Sequence, residues 1–135
     1  MNTYQLDKDI KLFCVRAKSF PEGVMAAHQQ LHASVPREND RRFFGISYPE
    51  GKGKIAYLAA AEVMADDESN KPGYEPFTLK SGIYIYTDIK DFRKDIPAIG
   101  QTFTRLLTNT GIDPNGCCVE WYTNDNDVRC MVRLK

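Results

Sequence analysis

Residues 117–134 read CCVEWYTNDNDVRCMVRL: two apolar or aromatic runs on either side of the polar stretch Asn124 to Asp127. The pattern is that of a strand, a turn and a returning strand. The first run holds a single carboxylate, Glu120, between Val119 and Trp121. Strand interiors are built mostly from β-branched and aromatic residues, and an ionised carboxylate kept from water is costly unless a partner meets it. Glu120 is therefore the first candidate for a functional residue. If residues 124–127 form the turn, Thr123 pairs with Val128, Trp121 with Cys130 and Val119 with Val132. Val119, Trp121, Cys130, Val132 and Leu134 would then seat a helix, and Glu120, Tyr122, Arg129, Met131 and Arg133 would share the opposite face.

Before this hairpin, Asp113-Pro114-Asn115-Gly116 reads as a turn. Earlier still come a helix over about 91–108, with Ile96, Ile99, Phe103, Leu106 and Leu107 on its apolar side, and a strand over 77–87. Pro97 delays the start of regular helix. The first part of the chain has the same order. A strand at 12–20 precedes a helix at about 22–35, opened by Pro21-Glu22, with Val24, His28, Leu31 and Val35 as its inner stripe. A charged loop, 37–42, leads to strands at 43–48 and 55–63 around a turn with Gly51 and Gly53. The expected fold is α+β, with tandem βαββ modules in the order β-α-β-β-β-α-β-β. Pseudo-twofold symmetry would set antiparallel sheets and two main helices around a cleft. All of 1–135 forms one domain, with half 1 at about 12–63, a linker at about 64–76 and half 2 at about 77–135.

In the first hairpin, Tyr48 opposite Ile55 and Ile46 opposite Tyr57 would put Phe44, Ile46, Tyr48 and Tyr57 on a face equivalent to that of Glu120. Such aromatic area belongs in a core or a ligand wall.

At 135 residues, with 18 basic and 18 acidic side chains, the chain offers no electrostatic footprint for nucleic acid or an anionic membrane. Its N-terminus is polar where a secretory signal would be apolar, and no run approaches the roughly 18 apolar residues of a spanning helix. A cytoplasmic protein is expected. Cys14, Cys117, Cys118 and Cys130 lie in strand-like segments without paired zinc spacing and read as reduced thiols. His28 and His32 are four apart on a helix but lack a third ligand, so no metal is expected. Glu50 to Lys54 lacks the full phosphate-loop pattern and its following helix, and Asn124 to Asp127 is too short for a calcium loop. No cofactor is expected.

The segment Glu75 to Tyr86, EPFTLKSGIYIY, the helix after it, and Glu120-Trp121-Tyr122 in a closing hairpin together resemble the gyrase-inhibitor-like, or bacterial transcription activator effector-binding, domains. The resemblance spans most of the chain. It implies two βαββ modules around a cleft in which a glutamate at the position of Glu120 meets cationic lipophilic compounds amid aromatics. Tyr122 and Tyr84 match family tyrosines. Where family members carry a His-Lys-Gly type element, this chain has Asp88-Ile89-Lys90-Asp91. It reads as a stand-alone module, without the helix-turn-helix segment of fused regulators.

The expected function is binding of an amphipathic, cationic or aromatic small molecule in a multidrug-recognition cleft. The ligand residues would be Glu120, Tyr122, Tyr84, Tyr48, Tyr57, Phe44, Met131 and Trp121. Two alternatives stand beside it: a hydrolase of electrophilic compounds with Glu120 as general base and Tyr122 orienting, and a protein-inhibitor module. A protein partner or a homodimer stays open. On the residues alone, Glu120 could instead form a sheet-surface salt bridge with Arg129 or Arg133.

Overall fold

A computed structural model describes residues 2–35, 40–64 and 72–135. Its strands are β1 (Asn2–Leu6), β2 (Ile10–Arg16), β3 (Phe43–Gly51), β4 (Lys54–Glu62), β5 (Glu75–Leu79), β6 (Gly82–Ile89), β7 (Cys118–Tyr122) and β8 (Val128–Arg133). Helix α1 (Val24–Ser34) follows β2, and α2 (Pro97–Leu106) follows β6 after a single 3-10 turn, Phe92–Lys94. Pro97 stands in the first turn of α2, where its missing N–H costs nothing. The fold is α+β, as the twofold strand-helix-strand-strand pattern implied. Residues 37–39 of the expected charged loop and 65–71 of the expected linker lie outside the described residues. Glu75 and Pro76, at the end of that linker, already belong to β5.

All eight strands form one antiparallel sheet in the order β1-β6-β8-β7-β3-β4-β2-β5. The two βαββ units meet at β3 and β7, and each lends an edge strand to the other: β1 pairs with β6, and β5 with β2. Two features of this exchange were not legible in sequence. The polar N-terminus forms β1, and the expected strand 77–87 breaks at Lys80 and Ser81 so that its parts, β5 and β6, lie toward opposite ends of the sheet. The two crossovers meet where the Ser81 N–H donates to Asp9 Oδ1 at 2.7 Å. Such short connections between strands toward opposite ends of the sheet require it to curl, and it forms a half-barrel.

The inner face of the curl packs a core of Leu6, Leu12, Phe44, Ile46, Leu58, Leu79, Tyr84, Val119 and Met131. The other face carries both helices. There, α1 covers Phe13, Val15, Phe43, Ala59 and Ala61 through Ala27, Leu31 and Val35. Meanwhile α2 covers Ile85, Val128, Cys130 and Val132 through Phe103 and Leu106. Fully burying each Leu, Ile, Val or Phe is worth about 1.5–3 kcal/mol, so these two seats hold the helices. Ile96 and Leu107, expected on the inner side of the second helix, are instead exposed.

Both hairpins differ by one residue from the expected register. In β7–β8, Glu120 opposes Cys130 and Trp121 opposes Arg129. The side chain of Asn124 accepts the N–H groups of Asn126 and Asp127 at 2.8 and 2.9 Å, so the turn includes Thr123 as well. In β3–β4, Lys52 and Gly53 turn the chain with φ of 55° and 74°, as a tight hairpin requires. A register shift between Pro49 and Gly51 then sets Tyr57 opposite Ser47 and Ile46 opposite Leu58.

Candidate functional site

One residue of register moves a whole strand's side chains to the other face. Cys130 and Val132 do face a helix, as expected, but they bring Glu120 and Tyr122 with them. Val119, Trp121, Arg129, Met131 and Arg133 lie on the inner face of the curl. The expectation that Glu120 looks away from the helices is thus overturned. Tyr57 also moves, leaving the side of Phe44, Ile46 and Tyr48 to join Phe43 and Gly45. The two shifts together keep Tyr57 with Glu120, in the valley above β3 and β7 between the seats of α1 and α2.

Glu120 is buried there, with 8% of its surface exposed. Its Oε1 accepts hydrogen bonds from the hydroxyls of Tyr57 at 2.9 Å and Tyr122 at 2.5 Å. The Tyr57 hydroxyl also meets His28 Nε2 of α1 at 2.7 Å. Phe20 stacks on the Tyr57 ring at 5.9 Å between centroids, and Tyr122 is bracketed by His28 at 5.2 Å and Phe92 at 5.5 Å. Gly45 makes the cluster possible. A Cβ at that position would fall 2.0 Å from the Tyr57 hydroxyl oxygen and 2.9 Å from Glu120 Oε1. A glycine inside a strand often marks such a close approach, and this was the sequence signal for Gly45. His28 read in sequence only as part of a helix stripe or a metal pair. Nothing in the pattern pointed to its contact with Tyr57.

Burial raises the Glu120 carboxyl above its usual range, opposed by the hydrogen bonds from Tyr122 and Tyr57. Burial also raises the two phenols, and the adjacent carboxylate raises them further. Both tyrosines are therefore hydrogen-bond donors throughout the physiological range. Among the described residues, no donor is placed on Glu120 Oε2 and no cationic side chain pairs with the carboxylate. The salt-bridge reading is excluded: Arg129 pairs with Asp88 at 2.7 Å and Arg133 with Asp113 at 3.1 Å, both from the other face.

The remaining candidate residues lie apart from Glu120. Phe44 and Met131 are in the inner core, and Trp121 packs against Tyr4 and Phe44. Tyr48 and Tyr84 line a cavity of about 410 Å³ together with Phe77, Lys80, Cys117 and Arg133. A neighbouring cavity of about 280 Å³ reaches Ile55, Leu107 and Cys118. Neither is lined by Glu120, Tyr57 or Tyr122. All four cysteines are unbridged, and burial pushes Cys14, Cys117 and Cys130 up to about 12 and Cys118 to about 11. They are inert thiols at neutral pH. Among the described residues, no three His, Cys, Asp or Glu side chains gather as a metal site, and no helix is long and apolar enough to cross a membrane.

No protein-family model and no curated protein sequence matches the chain. Solved structures do share the fold. An integron cassette protein from the mobile metagenome of Vibrio cholerae aligns with 99% of this chain and 95% of its own, with a TM-score of 0.67 at 10% identity. The protein SAV2435, solved bound to tetraphenylphosphonium, aligns with 99% of this chain and 93% of its own, with a TM-score of 0.68 at 15% identity. A candidate bacterial transcription regulation protein from Staphylococcus aureus MU50 aligns with 98% and 97%, with a TM-score of 0.57 at 13% identity. At such identities the likeness is one of fold, consistent with that of gyrase-inhibitor-like domains.

Proposed function

We propose that this chain is a small-molecule-binding module of the gyrase-inhibitor-like kind, taking a lipophilic cation onto Glu120 in the valley between α1 and α2. One observation carries the reading. A buried carboxylate is held by two hydroxyls on one oxygen, in a cluster with Phe20, His28, Tyr57, Phe92 and Tyr122, and no cationic side chain among the described residues pairs with it. A bound cation would supply the missing charge, and each ring facing it adds about 0.5–2 kcal/mol of cation–π attraction. The two halves, about 12–63 and 77–135, form the two walls. Phe20, 43% exposed over Tyr57, is the ring that moves aside to admit the ligand. Tetraphenylphosphonium bound to SAV2435 supports this ligand class for the fold.

A hydrolytic reading draws on the same groups. The raised carboxyl of Glu120 suits a general base, with Tyr122 orienting water. Calorimetric titration of tetraphenylphosphonium separates binding from its absence. The wild-type protein should bind, and Glu120→Gln should bind roughly tenfold to a hundredfold more weakly, for the loss of about 1.5–3 kcal/mol of charge interaction. Equal affinity in both proteins would refute the binding proposal. Turnover of an electrophilic compound, abolished by the same substitution, would favour the hydrolase.

A further inference from the structure

We propose that the cavity lined by Tyr48, Phe77, Tyr84, Lys80 and Arg133 is a second ligand site, which takes a flat aromatic anion, a carboxylate or sulfonate, with its charge on Arg133 and Lys80. The site stands apart from Glu120. Its volume of about 410 Å³ is lined by neither of the tyrosines that hold that carboxylate. Small-molecule pockets span roughly 300–1,000 Å³, so the cavity is large enough for such a ligand.

The walls come from strands that are distant in the sheet. Tyr48 is on β3 and Phe77 on the edge strand β5, with β4 and β2 between them, and the curl brings their rings to 6.4 Å between centroids at an angle of 18°. Both rings are only half-buried, so part of their area is left for a flat aromatic ligand to stack on. Leu79 and Pro49 add apolar surface, and Tyr84 is fixed by donating its hydroxyl to the Lys80 carbonyl at 2.6 Å. Cys117 is also in the wall. Burial pushes its thiol up to about 12, so it adds no negative charge at neutral pH.

The charges decide the sign of the ligand. The lining carries two cations, Lys80 and Arg133, against one carboxylate, Asp113. That carboxylate is already satisfied, accepting from Arg133 Nη1 at 3.1 Å and from the Asn115 N–H at 2.9 Å. Beyond Tyr48, the acids Glu50 and Glu75 are both held by Arg16 at 2.8 Å. Arg133 is fixed in place: its Nε donates to the Ser81 carbonyl at 2.8 Å, and a Cβ on Gly82 would fall 3.0 Å from its Nη2. Nη2 itself donates to no described residue, so the guanidinium keeps N–H groups for an oxyanion and needs no ordering to meet it. Lys80 is looser. Its side chain is 69% exposed and its ammonium is 4.0 Å from Asp9, a surface pair of little strength, so it can turn to the ligand's charge.

The test is a fluorescence titration of anilinonaphthalene sulfonate, beside the uncharged phenylnaphthylamine that has the same rings, with the wild-type protein, Lys80→Gln and Lys80→Glu. The wild type should bind the sulfonate more tightly than the amine. Lys80→Gln should weaken the sulfonate severalfold and Lys80→Glu roughly tenfold or more, while affinity for the amine stays as it was. Amide shifts on adding the sulfonate should concentrate at Thr78, Leu79 and Cys117, and should persist in Glu120→Gln and in the presence of tetraphenylphosphonium. Equal affinity for sulfonate and amine, an unchanged sulfonate affinity in Lys80→Glu, or shifts centred on Tyr57 and Tyr122 would overturn the proposal. Failure of the Glu120 site to bind cations would leave this result readable, since the two sites share no residue that is changed.

Discussion

The β7–β8 hairpin places a charge among aromatic rings on each face of the sheet, and the two arrangements differ in one respect. On the Trp121 side the charge is Arg129, whose guanidinium lies 4.0 Å from the Tyr86 ring, 5.6 Å from Trp121 and 5.7 Å from Tyr4. Asp88 closes it with two hydrogen bonds of 2.7 and 3.1 Å. On the Glu120 side there are rings and hydroxyls, and Arg93 lies over the Phe92 ring at 5.3 Å, but among the described residues no cationic side chain pairs with the carboxylate. Aromatic surroundings alone therefore do not mark a ligand site. The inner cluster is complete in itself, whereas the valley cluster has a charge left to satisfy, and the proposed binding function rests on that difference.

The hardest break in this contrast is at Gly45. Gly45→Val would push Tyr57 off Glu120, costing about 3 kcal/mol of stability in chemical denaturation. It should also abolish cation binding; a stable variant that still binds would mean the tyrosine cluster is not the site. Tyr122→Phe is milder. Losing one hydroxyl from a buried carboxylate should cost roughly 1–3 kcal/mol, and it should raise the Glu120 midpoint further, because that hydrogen bond holds the carboxyl down. NMR titration of the carboxyl carbon reads the shift directly.

The pH dependence follows from the same burial. Because the folded carboxyl titrates above its unfolded value, the native state binds more protons between the two, so stability should fall as pH rises through that window and level off above the folded midpoint. Thermal unfolding should show this slope in the wild type and lose it in Glu120→Gln. Cation affinity should run the other way, rising with pH through the folded midpoint. The smallest effect belongs to the inner cluster. Arg129→Met should cost about 1 kcal/mol or less, as for a partly exposed ion pair, and leave tetraphenylphosphonium affinity as it was.

The sequence made the repeated strand-helix-strand-strand order legible because periodicity and turn chemistry are local. It also singled out Glu120, since a carboxylate in an aromatic strand breaks a local rule; Tyr57 and Tyr122 were named beside Tyr48, Tyr84, Phe44, Met131 and Trp121, and the register that placed Tyr57 was off by one. What it could not supply was register. The extra turn residue at Thr123 and the shift between Pro49 and Gly51 depend on side-chain-to-backbone bonds and a bulge that no hydrophobic pattern encodes. Those two shifts moved Tyr57, Glu120 and Tyr122 to the helix side of the sheet and Val119 and Trp121 to the inner face. Likewise β1 has a polar sequence because it is an edge strand, and its partner β6 is far away in the chain. Gly45 carried a faint signal, a glycine in a strand, and His28 only its place on the inner stripe of a helix, and neither could be joined to Glu120 without the fold.

The central claim is that Glu120 selects charge, and a charge-selectivity cycle tests it most directly. Affinity is measured for tetraphenylphosphonium and for a neutral tetraphenyl compound of the same shape, each with the wild-type protein and Glu120→Gln. The account predicts that the wild type prefers the cation by roughly tenfold or more, the scale of one charge-assisted contact, and that the preference disappears in the variant. Equal preference in both proteins, or none in either, would contradict it.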